Sequence, residues 1–316
     1  MTNQPKISVA VCTYNRADVL PKCLESLVDQ TADSELFEVL IIDNNSTDDT
    51  KKIALDFCEK HSNFQYVFEE KQGLSHARNR AIVEAKSEYL AYIDDDAIAD
   101  KEWVKNILAA IKTDSSMVAF GGPIYPWYNK EKPKWFKDEF VTYSYWEQHF
   151  QLTEKNCPFG LCGSNMIFKK EILNKYNCFS AEYGMNGDKI AFGEESLLFN
   201  KMLKNRENIQ YFPDIKVLHL VSEKNYSLKD AFKRSIQNGK AIAHIRGSRP
   251  LSIDFIKKFS MFCLSLFELT ILTLPGIFSK ALLYKKLKKF GYFAGYIAAI
   301  LSKEPLNDRP CADKNI

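Results

Sequence analysis

The sequence predicts an α/β fold, a Rossmann-like and mostly parallel sheet with flanking helices. Two observations carry that expectation. Over the first 100 residues, short apolar and β-branched runs alternate with segments of helical period, the rhythm of strand–helix–strand crossover units. Each run also ends in a polar cluster, so the loops gather at one sheet edge, where open α/β sheets bind ligands. With 316 residues, 46% of them hydrophobic, the chain has material for one large domain or two modest ones with a real core.

Taken in order, residues 7–12 form the first strand. Residues 17–30 place Val19, Leu20, Cys23, Leu24, Leu27 and Val28 on one helical face. A second strand covers 37–42, and Thr47 or Asp48 caps a helix that runs to His61. Residues 64–69 are a third strand, 75–85 a third helix and 89–93 a fourth strand. Beyond these come a helix starting near Lys101, strands over 117–123 and 163–169, a helix opening at Glu194, a strand-like run at 215–219 and a helix over 228–246.

The fourth strand stops abruptly in Asp94, Asp95 and Asp96. Three adjacent carboxylates repel one another, and a divalent cation relieves that repulsion; their hard oxygens suit Mg²⁺ or Mn²⁺. The bland alternative is a solvated acidic turn. At the neighbouring strand ends, Thr13, Tyr14, Asn15, Arg16, Asp43 and Asn45 offer hydroxyls, amides and a carboxylate able to hold a nucleoside. Arg78, on a helix starting near the same edge, has the planar fork that fits a diphosphate, or it forms a surface salt bridge. Arg234 and Lys240, on the 228–246 helix, can cover a diphosphate as a lid or form its wet face.

Several classes are disfavoured. No Gly-x-Gly-x-x-Gly follows the first strand and no Gly-Lys-Ser/Thr loop occurs, so the dinucleotide fingerprint and the hydrolase phosphate loop are unsupported. A net charge of +3 argues against nucleic acid as a partner. Eight scattered cysteines without a Cys-x-x-Cys fit free thiols in a reducing compartment. The N-terminal residues have no apolar core, so no signal peptide is expected.

Cys12-Thr13-Tyr14-Asn15-Arg16, Ile42-Asp43-Asn44-Asn45-Ser46-Thr47-Asp48, Gly73-Leu74-Ser75-His76-Ala77-Arg78-Asn79-Arg80-Ala81 and Asp94-Asp95-Asp96 resemble the successive motifs of family 2 glycosyltransferases. The resemblance runs to about residue 245 and implies the GT-A fold, with a nucleotide-sugar-binding half (1–100) and an acceptor-binding half (101–250). It implies that Thr13 and Asp43 contact the donor base, that Arg78 contacts its phosphates, and that Asp94 and Asp95 touch ribose or donor sugar. It further implies that Asp96 ligates Mn²⁺ or Mg²⁺, with His219 completing the metal site; the residue-level alternative for His219 is a structural histidine. The family has Gly-Glu-Asp where this chain has Gly193-Glu194-Glu195. The resemblance therefore makes Glu195 the general base, with Glu194 the other member of the pair. A carboxylate pair opening a helix also has a simple electrostatic reading. Gly163 lies in a tight turn before a strand, where similar proteins have a glycine-rich acceptor-side segment. The aromatic stretch 125–150, including Trp127, Trp135, Phe136, Tyr143, Tyr145 and Trp146, is either a sugar-stacking platform or packing under a long loop.

Residues 259–278 are nearly all apolar, interrupted by Glu268 and Pro275 and flanked by lysines on both sides. Basic flanks on both sides favour a re-entrant or interfacial helical hairpin over a span, the alternative being a soluble helical subdomain. Hence 251–303 is expected to contact a membrane surface, chiefly through 255–303, and 304–316 to be a loose tail. The combined expectation is an inverting, metal-dependent hexosyltransferase at the cytoplasmic face of the cell membrane. It would move sugar from a nucleotide-sugar donor to a glycan or lipid-linked glycan acceptor in cell-surface polysaccharide synthesis. A sugar-nucleotidyltransferase would need a glycine-rich, lysine-bearing loop where 13–16 stands, and a catalytically silent sugar-binding protein would need no base.

Overall fold

The computed structural model describes residues 4–144, 147–157, 160–181, 193–271 and 279–302. Tyr145, Trp146, the stretch 272–278 and the tail expected over 304–316 lie outside the described residues. The expected alternation holds through the first half: β1 (Ile7–Thr13), α1 (Leu20–Val28), β2 (Phe37–Asp43), α2 (Thr50–Lys60), β3 (Phe64–Phe68), α3 (Leu74–Glu84) and β4 (Tyr89–Asp94). Helix α1 buries Leu20, Cys23, Leu24 and Leu27 as its period requires, but begins three residues later than expected, with Pro21 in its first turn.

The second half is more broken. It comprises β5 (Ala97–Ala99), α4 (Trp103–Thr113), β6 (Ala119–Gly121), β7 (Ile124–Trp127), β8 (Phe150–Gln151), β9 (Met166–Lys169), α5 (Lys170–Lys175), α6 (Glu194–Lys204), β10 (Ile209–Tyr211), β11 (Val217–Leu220) and three long helices, α7 (Leu228–Arg246), α8 (Ile253–Ile271) and α9 (Lys280–Leu301). Strands β3-β2-β1-β4-β9-β6-β10-β8 form one sheet. Strands β1 to β4 run parallel, while β9 lies antiparallel between β4 and β6. Both β1 and β2 are buried almost throughout, as expected of strands covered on both faces. A second sheet, β5-β11-β7, begins just after the three aspartates.

The aromatic stretch divides. Phe136 is buried against Val221, Ala231 and Tyr284, with Trp135 and Tyr128 packed around it, so these rings serve packing. Trp127 instead approaches the aspartates and donates from Nε1 to the Asp96 carbonyl at 3.2 Å.

At the C-terminus, α9 lies along α7 at backbone contact. A Cβ on Gly239 would sit 2.0 Å from the Tyr292 carbonyl oxygen, and one on Gly295 would sit 2.0 Å from that of Ile236. Only glycine permits that approach. Helix α8 packs on α9, and Glu268 does not interrupt its apolar face as the sequence suggested. It turns inward to Lys286 and Lys289, at 3.1 and 3.0 Å. None of the described helices is long and apolar enough to cross a membrane.

Candidate active site

Parallel register builds the first part of the site. Thr13 pairs with Asp43 across β1 and β2, and Cys12 pairs with Asp94 across β1 and β4. The three strand ends therefore finish level. The loops that follow are stitched together: the Asn15 amide donates to Ser46 Oγ at 3.0 Å, and the Thr47 amide to Asn15 Oδ1 at 2.8 Å. Asn15 and Asn45 both take left-handed backbone, which asparagine tolerates better than most residues. Asp43 is buried and accepts from the Ser46 amide at 2.9 Å and the Tyr66 hydroxyl at 2.8 Å. Its carboxylate is thus oriented before any ligand arrives.

The aspartates form the second part. Short strand β5 pairs with β11 so that His219 lies opposite Ala97, which delivers the imidazole to the acidic turn. His219 Nε2 stands 3.1 Å from Asp96 Oδ1 and 3.5 Å from Asp94 Oδ2. Donor atoms of Asp94, Asp96 and His219 all lie within 4.8 Å of one another. Arg16 bridges Asp95, at 3.2 Å, and Asp96. Ser164 Oγ donates to Asp94. Burial disfavours the Asp94 anion, but His219, with Arg78 and Ser164, outweighs it and holds the carboxyl at about 2. Asp95 goes the other way: burial and then the Asp96 charge push it up to about 7 against Arg16. Burial also works against a charged His219, yet the two aspartates raise it well above the ordinary histidine value.

Arg78 joins this cluster to the third part. Its side chain is only 4% exposed, so neither a surface salt bridge nor an open phosphate fork describes it. Nη1 pairs with Glu194 Oε1 at 2.7 Å and lies 3.8 Å from Glu195 Oε2, while Nη2 lies 3.8 Å from Asp94 Oδ1. Gly163 backs the guanidinium, where a Cβ would sit 2.5 Å from Nη2. Both glutamates open α6, where the helix end favours negative charge. They nevertheless differ. Glu194 is buried and locked to Arg78, whereas Glu195 keeps 23% side-chain exposure, and its Oε2 accepts no hydrogen bond among the described residues. Burial, then the Glu194 charge, push the Glu195 carboxyl up to about 8, with Arg78 opposing.

A family model described as Glycosyl transferase family 2 matches residues 8–176, just over half of the 316-residue chain. The chain belongs to glycosyltransferase family 2. It is 26% identical over 228 residues to the glucosyl-dolichyl phosphate glucuronosyltransferase of Haloferax volcanii, covering 69% of this chain and 70% of that one. Against two further curated glycosyltransferases, one from Haloferax volcanii and one from Bacillus subtilis, it spans only 36% and 33% of their lengths. Among solved structures, it superposes on the mannosyltransferase PcManGT of Pyrobaculum calidifontis, in complex with GDP-Man and Mn²⁺, with a TM-score of 0.65. Identity there is 18%, covering 95% of this chain and 88% of that one. These structures share the GT-A fold with this chain, and at such identity they speak for the fold alone.

Within this family 2 chain, the residues expected from the sequence mostly converge. Arg16, Arg78, Asp94, Asp95, Asp96, Gly163, Glu194, Glu195 and His219 form one connected set, with Thr13 and Asp43 level with each other beside it. Tyr14 and the exposed Asn45 lie on the loops at the same edge. Arg234 lies in electrostatic reach of Tyr143, Tyr284 and Lys288. Sequence reasoning did not single out Ser164, Tyr66 or the Trp127 contact. Each acts by holding a carboxylate or its backbone, and no spacing rule marks such a partner.

Proposed function

We propose that this chain is an inverting, metal-dependent glycosyltransferase that moves a sugar from a nucleoside-diphospho-sugar to a hydroxyl of a lipid-linked glycan at the cytoplasmic face of the membrane. One observation carries the reading: a carboxylate with a raised pKa and an oxygen that accepts no hydrogen bond among the described residues, Glu195, stands across a buried arginine from an Asp–Asp–His cluster. A general base works best when its pKa lies near the working pH.

The donor set fits a divalent ion. Two carboxylates suit Mg²⁺ and Mn²⁺ alike, and the imidazole favours the transition ion, Mn²⁺. Held by Asp94, Asp96 and His219, such an ion supplies neutralisation of the departing diphosphate. The remaining work falls to the chain itself. Thr13 and the pre-oriented Asp43 hold the nucleoside. Glu195 accepts the acceptor hydroxyl's proton as that oxygen bonds to the anomeric carbon, and the anomeric carbon–diphosphate bond breaks with its electron pair leaving on the diphosphate. Arg78, paired with Glu194, fixes the base against the aspartate cluster. A single base with no side-chain nucleophile assigned gives one displacement, hence inversion.

The Haloferax volcanii relative, named for a dolichyl phosphate substrate, favours a lipid-linked acceptor. PcManGT with GDP-Man and Mn²⁺, and Staphylococcus aureus TarS with UDP-GlcNAc, favour a nucleotide-sugar donor. The test is release of nucleoside diphosphate from a panel of UDP- and GDP-sugars with Mn²⁺ or a chelator, with the anomeric configuration of the product read by NMR. No release from any donor, or release indifferent to chelation, would overturn it.

A further inference from the structure

We propose that the outer face of α8 is a docking surface that lies flat on an anionic lipid bilayer. Of 17 large hydrophobic side chains exposed among the described residues, nine fall between 251 and 271. Ile253, Ile256, Phe259, Leu264 and Phe267 are 46–75% exposed, and Leu251 just before the helix is 82% exposed. Soluble chains scatter such residues singly; a contiguous patch marks an interaction surface.

The inner stripe of α8 is already occupied. Phe262 stacks on Phe290 at 5.2 Å, Ser265 is buried, and Glu268 reaches Lys286 and Lys289. The hydrophobic outer side is therefore surplus to packing against α9. Its charge selects the occupant. Both acids of α8 turn inward, Asp254 to Tyr296, Ser248 and Arg246, and Glu268 to the two lysines. Lys258 lies over the rings of Tyr292, Phe293 and Tyr296. The outward side keeps Lys257. An apolar face with its negative charge withdrawn and a cation left on it complements anionic headgroups. At 19 residues carrying four charged side chains, α8 is suited to lying in the interface.

The surface is also coupled to the site. Helix α8 packs on α9, α9 lies along α7, and α7 meets α6, the helix that bears Glu194 and Glu195. Docking would thus fix the base-bearing helix relative to the bilayer, which deepens the lipid-linked acceptor reading proposed above.

The test is flotation of the full chain with vesicles of phosphatidylcholine alone or mixed with phosphatidylglycerol, without any donor. Wild-type protein should float with the anionic vesicles. The triple variant Phe259→Glu, Leu264→Glu, Phe267→Glu should partition on the order of 1,000-fold less, since each of the three apolar groups contributes about tenfold. Its melting temperature and its transfer to a short water-soluble acceptor should match wild type. Flotation needs no catalysis, so a failed transfer assay leaves this result readable. Wild-type protein left at the bottom with anionic vesicles overturns the proposal, as does a triple variant that floats equally well. A wild-type dimer that the triple variant converts to monomer would make the face an interface between copies. A large fall in melting temperature would mean that the chain itself covers it. Either result also overturns the proposal.

Discussion

Two adjacent glutamates at the head of α6 should answer the same substitution in opposite ways. Consider Glu195→Gln first. Its carboxyl is pushed up to about 8 from an ordinary 4.5. The folded state therefore binds the proton more tightly than the unfolded chain, and folding loses stability as pH rises from 4.5 to about 8. That loss is on the order of 5 kcal/mol above pH 8. Glutamine removes it and leaves Arg78 paired with Glu194 at 2.7 Å. The variant should thus melt higher than wild type by several degrees near pH 8.5, with the gain vanishing near pH 5. Transfer should fall on the order of 10²–10⁴-fold with donor affinity unchanged. Glu194→Gln strips a buried guanidinium of its nearest counter-charge, a change that typically costs about 3–5 kcal/mol. Here Asp94 and Glu195, each 3.8 Å away, reduce that cost. Differential scanning at both pH values, with nucleoside diphosphate release as the activity readout, separates the two. A stabilised Glu194→Gln beside a destabilised Glu195→Gln would refute the reasoning, because the base and the locked partner would then be exchanged.

Three further outcomes follow from the same geometry. Asp96→Ala should fold and lose Mn²⁺-dependent donor binding; wild-type thermal shift by donor and Mn²⁺ in that variant would remove Asp96 from the metal site. Mn²⁺ affinity, read by calorimetry, should strengthen by about tenfold per pH unit below the raised His219 pKa, because the imidazole must shed its proton to bind; pH-independent affinity would exclude His219 as a ligand. Gly163→Ala should lower both stability, by about 1–3 kcal/mol, and transfer, since the added methyl meets the Arg78 guanidinium; a variant indistinguishable from wild type would mean that Arg78 has room to move.

The legible part of the fold is the part whose elements are long enough to show a period. Strands β1, β2 and β4 each run six or seven residues and end in motif loops, so the level placement of Thr13, Asp43 and Asp94 could be read in advance. Strand β5 is three residues and β11 four; no alternation can be counted over such lengths. The sheet they form with β7 brings His219 to the aspartates, so that encounter rested on resemblance. Arg78 and Glu194 are 116 residues apart, and each has a plausible solvent-exposed reading alone. Their burial together is a tertiary fact. The aromatic stretch was ambiguous because stacking on sugar and packing under a loop require the same side chains; burial of Phe136 decides that ring.

Two carboxyls of the site, Asp95 and Glu195, are pushed up, and their causes predict different fates during turnover. Asp95 owes its position to burial and then to the Asp96 charge. On the proposed reading, a divalent ion at Asp94 and Asp96 adds two positive charges beside it, which favours the Asp95 anion and removes it from the neutral range. Glu195 owes its position to burial and then to Glu194, on the far side of Arg78. That cause survives, and the incoming diphosphate adds negative charge that offsets the ion's pull. With metal and donor saturating, the transfer rate should therefore rise with pH along one limb set by Glu195, well above the free-carboxylate range, with no second inflection near 7. In Glu195→Gln the residual rate should lose that limb. If the limb persists in Glu195→Gln but disappears in Asp95→Asn, the titrating group is in the aspartate cluster, and the assignment of the base to α6 is wrong.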